Sequence, residues 1–430
     1  MAAIAERFGC NCRIVDYNIN YLSKGDYIND LKNFEPDYLV ISATTPSLSG
    51  DLNACTIAKK YLPNIQTIVY GAHFLKFNTQ ILKDFPDVDM IIRGETENVF
   101  AKILSGMDKQ KIEGLTWRGP NGIQHNLKYE FIDALDTIPF PARHLIDNRR
   151  YIRMDNGKPQ AVIKVSRGCP YNCFFCLATS VSGKKVRVRS SENILEEIQI
   201  CIKKYGIHDF IFFSDIFTFN KRWVESLCDT ILSSGLTFNW SANTRVDTID
   251  LELAKLMKKA GCGLVSVGIE SGSQEILNKV GKRITIDEIR AAFQIFKKVS
   301  FKTLAYYMIG FPWDTRQTVA DTIDLAIDLD SDFANFFVAA PFPGTQLFDY
   351  AVKNKLLECT NDCEEGRYKN AYKYPALKGH YLTKNEICDL QSEAVRKYVF
   401  RPQYIIKKIS EIRSWRELNN YSKFAMSLMR

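Results

Sequence analysis

Short apolar runs alternate with helix-like stretches over the first hundred residues of this 430-residue chain. Each run has the length of a buried strand, and a polar or glycine-containing turn separates it from an amphipathic stretch such as residues 52–61. This alternation predicts an α/β domain over residues 1–110, with a parallel sheet and helices on both faces. The predicted strands are Cys12–Asn18, Tyr38–Ser42, Thr67–Tyr70 and Met90–Arg93.

The turns after three of these strands are small or polar, as expected of a ligand cleft lined by backbone. Ligands of such sheets bind beyond the carboxyl ends of the strands. Taken alone, a histidine in such a loop is more often a hydrogen-bonding residue than a metal ligand, and an isolated glycine usually serves a turn. The candidate cleft residues are Ser42, Thr44, Thr45, Gly71, His73, Gly94 and Glu95.

A second repeating pattern follows residues 111–157, which are richer in Pro, Gly, Asn and Asp and predict a linker or a small hairpin-containing bridge. Six strand-like runs with helical patterns between them then predict a partial barrel of six βα units over residues 158–346. Chemistry in that architecture takes place at the carboxyl ends of the strands. Residues 347–430 predict a mainly helical C-terminal region. The six runs cover residues 161–166, 209–214, 237–242, 263–269, 303–309 and 333–339.

Composition and charge exclude several classes of protein. The chain is 46% hydrophobic and 25% charged, which is typical of a soluble globular protein. Its apolar runs are too short for a membrane span, and no signal-peptide pattern follows Met1. The net charge of +8 is spread over mixed basic and acidic residues, so we expect no nucleic-acid binding, even by the basic residues 397–430. We expect a cytoplasmic protein.

The main chemical signal is a set of three cysteines, Cys169, Cys173 and Cys176, directly after the first of the six runs. Soft thiolates select iron–sulfur clusters, zinc or copper, and three ligands leave one coordination position open for reaction. The same spacing would also place three small apolar side chains on one helix face. A structural zinc site would need a fourth soft ligand, and none follows before Cys201. The other nine of the 12 cysteines are expected to be reduced and buried.

The cysteine loop resembles the signature of radical S-adenosylmethionine (SAM) enzymes, in which an aromatic residue, here Phe175, precedes the third cysteine. The resemblance covers about residues 60–345 and includes the sequences around Asp136, Glu270 and Gly310. It is to the cobalamin-binding radical SAM enzymes, related to the anaerobic magnesium-protoporphyrin IX monomethyl ester cyclase group. The first domain is similar to their Rossmann-like (flavodoxin-like) cobalamin-binding domain.

This resemblance implies that the three cysteines hold a four-iron, four-sulfur cluster whose open iron chelates SAM. An electron from the cluster, supplied by a reductant such as flavodoxin or ferredoxin, would cleave SAM, and the resulting 5′-deoxyadenosyl radical would abstract a hydrogen atom from the substrate. The cleft of the first domain would hold cobalamin. The residues implied for the SAM pocket are Phe175, Ser214, Asp215, Arg245, Glu270 and Gly310.

Several details qualify these implied roles. The pattern Asp-x-His-x-x-Gly, which supplies an axial histidine to cobalt, is absent from the sequence, so we expect base-off cobalamin without a protein histidine ligand. Relatives often have an acidic pair where this chain has Ser214-Asp215, and Gly-x-Pro-Gly-Glu where it has residues 310–314. Without the resemblance, Arg245 could equally be an ion-pair partner, and Glu270 could cap the next helix.

The reaction predicted is methyl transfer to an unactivated carbon or a phosphorus centre. The alternative within the family is cyclisation or rearrangement, and a methylthiotransferase fits less well because Cys10, Cys12 and Cys55 lie in the wrong setting for a second cluster. A non-catalytic metal- or corrinoid-binding protein is the alternative from another class. The substrate, a small molecule or a peptide, is not identified. Specificity is expected in the C-terminal region, where aromatic and basic residues mix: Tyr368, Tyr372, Tyr374, Tyr398, Phe400 and Arg401.

The amino end poses a separate question, because a flavodoxin-like sheet has its first strand in the middle. No candidate for that strand precedes the helix-like residues 2–8. Without it, two neighbouring strands would keep unpaired backbone groups. We therefore expect the given sequence to be truncated or its start to be misassigned, with cobalamin affinity as the function most at risk.

Overall fold

The computed structural model describes residues 1–153, 157–357 and 377–412. The chain divides into two compact units. The first contains residues 1–147, 167–189 and 341–371, and the second contains residues 148–166, 190–340 and 372–430. Tyr368, Tyr372 and Tyr374, named above for specificity, lie outside the described residues. No helix in the described part is long and apolar enough to cross a membrane.

Thirteen strands are formed by the described residues. They are β1 (Tyr38–Ser42), β2 (Gln66–Tyr70), β3 (Met90–Ile92), β4 (Leu115–Gly119), β5 (Gly122–His125), β6 (Gln160–Lys164), β7 (Ser166–Arg167), β8 (Arg187–Val188), β9 (Asp209–Phe213), β10 (Asn239–Thr244), β11 (Cys262–Glu270), β12 (Lys302–Ile309) and β13 (Phe333–Val338).

The sheet of the first unit has the order β1-β2-β3-β4-β5. Strands β1 to β3 are parallel, and Ser42, Tyr70 and Ile92 are in register at their carboxyl ends. The hairpin expected after residue 110 forms as β4 and β5, and β4 pairs antiparallel with β3. The hairpin therefore extends the first sheet beyond the predicted end of the domain.

Helices cover both faces of this sheet, as the alternation predicts. Ile68 packs in one apolar cluster with Phe100, and its neighbour Val69 packs in another with Leu52 and Phe74. Because successive side chains of a strand point to opposite faces, the two clusters lie on opposite sides of the sheet. The helices of the first unit are Ala2–Arg7, Lys24–Phe34, Leu48–Tyr61, Phe74–Asp84, Thr96–Leu104, Ala178–Ser182 and Gln346–Lys353.

The predicted strand Cys12–Asn18 is wrong, because these residues form no ladder with any described strand. A strand is maintained by backbone hydrogen bonds to a neighbour, and the described part of the chain supplies none at this place. Side chains hold the segment instead: the Tyr17 hydroxyl donates to Asp30 at 2.9 Å, and Arg13 forms an ion pair with the same carboxylate.

The second unit contains the six predicted parallel strands, and all six are confirmed. Their order is β13-β12-β11-β10-β9-β6. Each of these six strands therefore pairs with the members of the set that come before and after it in the chain. Neither β6 nor β13 closes onto the other, which makes the unit a partial barrel. The helices of this unit are Ser191–Tyr205, Lys221–Ser233, Leu251–Lys259, Gln274–Lys279, Ile286–Val299, Arg316–Leu329, Lys384–Val399 and Pro402–Glu411.

Candidate functional site

The three predicted metal ligands lie in one loop between β7 and the helix Ala178–Ser182. Cys169, Cys173 and Cys176 form no disulfide, and all three are partly exposed. The Cys176 amide donates to the Cys173 carbonyl at 3.0 Å, and the Ala178 amide donates to the Cys176 Sγ at 3.4 Å. The chain therefore turns around the third sulfur and leaves the three thiols accessible to a bound group.

A glycine fixes the start of this cysteine loop. Gly168 has a φ of +98°, and a Cβ atom there would collide with the carbonyl oxygen of Lys185. The following amide, of Cys169, donates to the Gly183 carbonyl at 3.0 Å. Because any residue with a side chain would push these two chain segments apart, glycine is required directly before the first cysteine.

The cysteines outside the loop differ in environment. Burial raises the pKa of the Cys55 and Cys228 thiols to about 12, which keeps them protonated and unreactive. The prediction that such cysteines are reduced and buried is confirmed for Cys55, Cys201, Cys228 and Cys262, whereas Cys10, Cys12 and Cys388 are reduced but partly exposed. Cys359 and Cys363 lie outside the described residues.

The described residues contain no group of three or more His, Cys, Asp or Glu side chains arranged to hold a single metal ion. A four-iron cluster places its cysteine ligands on different irons. The three thiols of the loop therefore need not converge on one point, and the donor set of three soft thiols fits such a cluster.

A buried network of ion pairs anchors the cysteine loop within the first unit. Arg187 donates to both carboxylate oxygens of Glu95, at 2.9 and 2.7 Å. Arg167, two residues before Cys169, pairs with Glu97 and lies 3.5 Å from Glu95. Burial would raise the pKa of Glu97, but the hydrogen bonds and charge of Arg167 outweigh it and lower that pKa.

This network changes the interpretation of Glu95 and Arg187. Glu95 also accepts from the Ile132 amide at 2.6 Å, so its carboxylate is occupied by protein groups rather than directed to a ligand. Arg187 lies in residues 184–189, where Lys and Arg alternate with Val, a pattern typical of a half-exposed strand. It is 4% exposed and also donates to the carbonyls of Ile132 and Ser182. Alternation alone could not distinguish this buried cation from its exposed neighbours.

The predicted SAM residues Ser214 and Asp215 follow β9 in the second unit. The buried Ser214 hydroxyl donates to the Asn243 side-chain carbonyl at 2.9 Å, and the Asn243 amide donates to the Asp215 carbonyl at 3.4 Å. Asn243, on the neighbouring strand β10, therefore fixes the turn after β9. Sequence motifs gave no signal for this asparagine.

Glu270 and Arg245, at the ends of β11 and β10, are brought together by Lys282. The Lys282 ammonium donates to Glu270 at 2.7 Å, while Arg245 donates to the Lys282 carbonyl at 2.8 Å and to both oxygens of Asp247. Glu270 and Lys282 are each less than one tenth exposed. Lys282 was not predicted, and no motif identifies it.

The backbone at Glu270 is unusual. Its φ is +73°, in the left-handed region that a residue other than glycine rarely adopts. The register of β11 with β12 also shifts between Gly268 and Glu270. Such bulges re-aim a side chain at the end of a strand, and here the carboxylate is turned toward Lys282. Glu270 therefore does not serve as the helix cap considered above.

The predicted adenosyl contact, Gly310, lies directly after β12 with a φ of +92°. The amides of Gly310 and Phe311 both donate to Asp314 at 2.9 Å, and the Thr318 hydroxyl donates to the other oxygen of Asp314 at 2.8 Å. Burial raises the pKa of Asp314 to about 6, although these hydrogen bonds oppose the shift. Asp314, which stands where relatives often have glutamate, thus stabilises the turn that contains Gly310.

The candidate cleft of the first unit lies at the carboxyl ends of β1, β2 and β3. The Thr45 hydroxyl lies 3.2 Å from the His73 Nδ1, whereas the buried His73 Nε2 has no partner. Burial lowers the pKa of His73 to about 4, so its ring is neutral at pH 7. An unpartnered nitrogen in a buried neutral ring is the kind of atom that a bound polar group would satisfy.

Of the remaining cleft residues, two are glycines with a positive φ and two are exposed. Gly71 has a φ of +152°, and a Cβ atom there would collide with the Ala43 carbonyl oxygen, so this close approach of two loops requires glycine. Gly94 has a φ of +73° and faces the Tyr129 ring. Ser42, the last residue of β1, and Thr44, in the loop after it, are exposed.

Two parts of the chain match models of known protein families. Residues 163–326 match the family model of the radical SAM superfamily, and residues 1–104 match that of the B12 binding domain. An uncharacterized methyltransferase of Pyrococcus horikoshii is 34% identical over 403 residues, covering 93% of this chain and 86% of the relative. The anaerobic magnesium-protoporphyrin IX monomethyl ester cyclase of Rubrivivax gelatinosus is 29% identical and covers 78% of this chain, which spans 62% of that relative.

The fold also occurs in a solved structure. The radical SAM methyltransferase TsrM of Kitasatospora setae, solved with tryptophan substrate and a SAM analogue, superposes with a TM-score of 0.73 at 15% identity. The match covers 93% of this chain and 85% of TsrM. With the extended similarity to the Pyrococcus relative, these matches establish that the chain is an enzyme and that it belongs to the family of cobalamin-binding radical S-adenosylmethionine enzymes.

Proposed function

We propose that this enzyme transfers a methyl group from SAM, by way of cobalamin, to an unactivated carbon or a phosphorus centre of its substrate. The observation that carries the proposal is the cysteine loop, in which three reduced and partly exposed thiols follow a glycine-constrained turn. A structural cysteine set would be closed by a fourth ligand, whereas three ligands leave an iron of the cluster open to SAM.

Cys169, Cys173 and Cys176 are the proposed ligands of a four-iron, four-sulfur cluster. The ion pairs of Arg167 and Arg187 hold the two ends of their loop. Such charged pairs, buried and bonded through two hydrogen bonds, position a loop more strictly than single hydrogen bonds do. Their role is to position the cysteines.

The proposed SAM pocket is formed by strand ends of the second unit. Glu270, Arg245 and Lys282 provide a carboxylate and two cations, groups that complement the ammonium and carboxylate of SAM. Ser214 and Asp215 are held by Asn243, and Gly310 by Asp314. Gly310 is proposed to allow close approach of the adenosyl group.

Cobalamin is proposed to bind at the carboxyl ends of β1 to β3. Gly71 and Gly94 permit close approach of the backbone, Thr45 orients the His73 ring, and Ser42 and Thr44 offer exposed hydroxyls. His73 would donate or accept one hydrogen bond through Nε2. Cobalt is proposed to be base-off, without a protein histidine ligand. Glu95, which the sequence placed among the cobalamin contacts, is proposed to position the cysteine loop instead.

When bound, the cluster would supply the electron that cleaves SAM, and cobalamin would carry the methyl group. The cluster requires a low-potential one-electron donor, and a flavodoxin or ferredoxin has suitable chemistry. Because the thiols must remain reduced, the proposal also implies a reducing compartment such as the cytoplasm.

The test is anaerobic purification followed by reconstitution with iron, sulfide and cobalamin. Under reductant, SAM should give S-adenosylhomocysteine and 5′-deoxyadenosine, and SAM deuterated at its methyl group should deliver deuterium to cobalamin. Formation of 5′-deoxyadenosine without methyl transfer would favour the cyclase alternative, which the Rubrivivax relative supports. A colourless protein that binds zinc and leaves SAM intact would overturn both.

A further inference from the structure

Among the described residues, one face of the six-stranded sheet of the second unit is less buried than the other, helix-covered face. Side chains alternate between the faces, and the register defines which residues share a face. We name this less buried side the inner face; the described positions used below are Val162, Ile211, Phe213, Ser241, Asn243, Leu264, Ser266, Tyr306, Asn335 and Phe337. Val162, Ile211, Ser241 and Leu264 form one row across four strands, and Tyr306 lies beside Asn335.

The inner face is accessible and largely apolar. Phe213 is 47% exposed and Val162 is 50% exposed, whereas the adjacent Phe212 and Ile163, on the helix side, are 1% and 0% exposed. In a closed barrel, such inward positions would be filled by layers of side chains. An exposed apolar patch that continues over several strands is typical of a binding surface.

The polar groups on this face are mainly neutral. Ser266 and Tyr306 contribute hydroxyls, and the Tyr306 ring stacks on Phe337 with a centroid distance of 5.9 Å and an interplanar angle of 27°. Asn243 and Asn335 contribute amides. The inner face therefore offers aromatic rings and neutral hydrogen-bonding groups to a ligand, and it does not strongly favour a ligand of either charge.

The charges of the strands do not form a site for a phosphate or an amine. Asp209 is 3% exposed and is paired with Arg153 at 3.0 Å. Lys164 lies over the Phe213 ring at 5.0 Å, and three strands separate it from Lys302 on β12. A phosphate is normally bound by converging cations or backbone amides, and the described inner-face residues provide no such convergence.

The inner face also continues into the proposed SAM pocket. Phe213 directly precedes Ser214, and Asn243 holds Ser214 at 2.9 Å. A molecule seated on Phe213 would therefore lie next to residues assigned above to SAM. Building on the proposed function, we infer that the inner face binds the methyl acceptor, and that this acceptor is a largely apolar ring system with neutral hydrogen-bonding groups.

The test measures binding by equilibrium dialysis to the cluster- and cobalamin-loaded full chain. The probe is 1-pyrenemethanol, a neutral fused-ring hydrocarbon with one hydroxyl, and the competitors are cytidine 5′-monophosphate and spermine. We expect saturable binding of the probe that neither competitor displaces. Phe213→Ala should weaken binding about tenfold because it removes an aromatic contact, and Phe213→Trp should retain it.

Phe8→Ala is the matched control, because Phe8 is 46% exposed and belongs to the first unit. It should leave probe binding unchanged. Equal binding by wild type and Phe213→Ala, or displacement of the probe by cytidine 5′-monophosphate, would overturn the inference. Cleavage of SAM is measured in the same preparations. Absence of cleavage with normal, Phe213-dependent probe binding would count against the proposed function and leave the acceptor class supported.

Discussion

Glu95 and Arg187 lie 92 residues apart in the chain but form a buried pair bonded through two hydrogen bonds, with donor–acceptor distances of 2.9 and 2.7 Å. One partner directly precedes the helix Thr96–Leu104, and the other follows the cysteine loop. Burying both charges is unfavourable unless each remains fully paired. The pair therefore makes the position of the cysteine loop depend on the fold of the first sheet.

Glu95→Gln should reduce both stability and iron content. Glutamine cannot compensate the buried Arg187 charge, and loss of one partner of a buried ion pair costs about 3–5 kcal/mol. We expect a corresponding decrease in the free energy of unfolding of the apo chain and less iron per chain after reconstitution. Lys185→Ala is the control, since Lys185 pairs with Asp133 on the surface, and it should change neither quantity. Normal iron binding by Glu95→Gln would refute the positioning role.

Single substitutions of Cys169, Cys173 or Cys176 by alanine should abolish most cluster absorbance and SAM cleavage, because two remaining thiolates cannot retain the cluster stably. Iron and sulfide analysis with electron paramagnetic resonance of the reduced protein provides the measurement. Cys388→Ala is a matched control, since Cys388 is also a reduced and partly exposed thiol. If Cys388→Ala lost iron as completely as the loop variants, the assignment of ligands would be wrong.

Glu270→Gln should weaken SAM binding by at least about tenfold, equivalent to about 1.4 kcal/mol. The substitution removes the partner of Lys282, which donates at 2.7 Å, and changes the charge of the proposed pocket. Calorimetric titration of the cluster-loaded chain with SAM measures the effect. Glu275→Gln, in an exposed pair with Lys279, is the control. Equal SAM affinity for Glu270→Gln and wild type would leave Glu270 with a structural role only.

The sequence predicts the secondary structure well where periodicity is strong and contacts are local. All six barrel strands and the β1–β3 strands follow from apolar runs with helices between them, and the cysteine set follows from spacing alone. Cys12–Asn18 fails because its apolar run has strand composition but no described ladder partner. Strand formation depends on a neighbour, which composition does not specify.

The site was predicted less completely, because its geometry depends on long-range pairing. Nothing near Lys282 indicates that its ammonium will meet Glu270, and Arg187 has the same local pattern as its exposed neighbours. Asp314 is different. Its position in the sequence matches the glutamate that relatives often have, but only the fold shows that it accepts hydrogen bonds from the Gly310 and Phe311 amides. Motifs locate the residues proposed for the site, whereas their supporting partners come from the fold.

Asp314 should make the stability of the second unit depend on pH. Its folded-state pKa is raised to about 6 by burial, so the protonated carboxyl is favoured in the folded state. Its contribution is fully present below the unfolded pKa of about 3.9 and is lost as the pH rises to about 6. The loss is on the order of 3 kcal/mol. Urea unfolding of wild type and Asp314→Asn between pH 3.5 and 7 should show this decrease only in the wild type; parallel curves would contradict it.

His73 should give the opposite dependence in the first unit. Burial lowers its folded-state pKa to about 4, so its contribution is present above the unfolded pKa of about 6.5 and is lost as the pH falls from there toward 4. The difference in unfolding free energy between wild type and His73→Gln should therefore be constant above pH 7 and shrink on acidification, by about 3 kcal/mol in full. A difference independent of pH would show that folding does not shift the pKa of His73. With cobalamin bound, the electron paramagnetic resonance spectra of Co(II) in wild type and His73→Gln should agree and show no nitrogen splitting. Nitrogen splitting from the protein that disappears in His73→Gln would make His73 an axial ligand. That result would reject the base-off assignment.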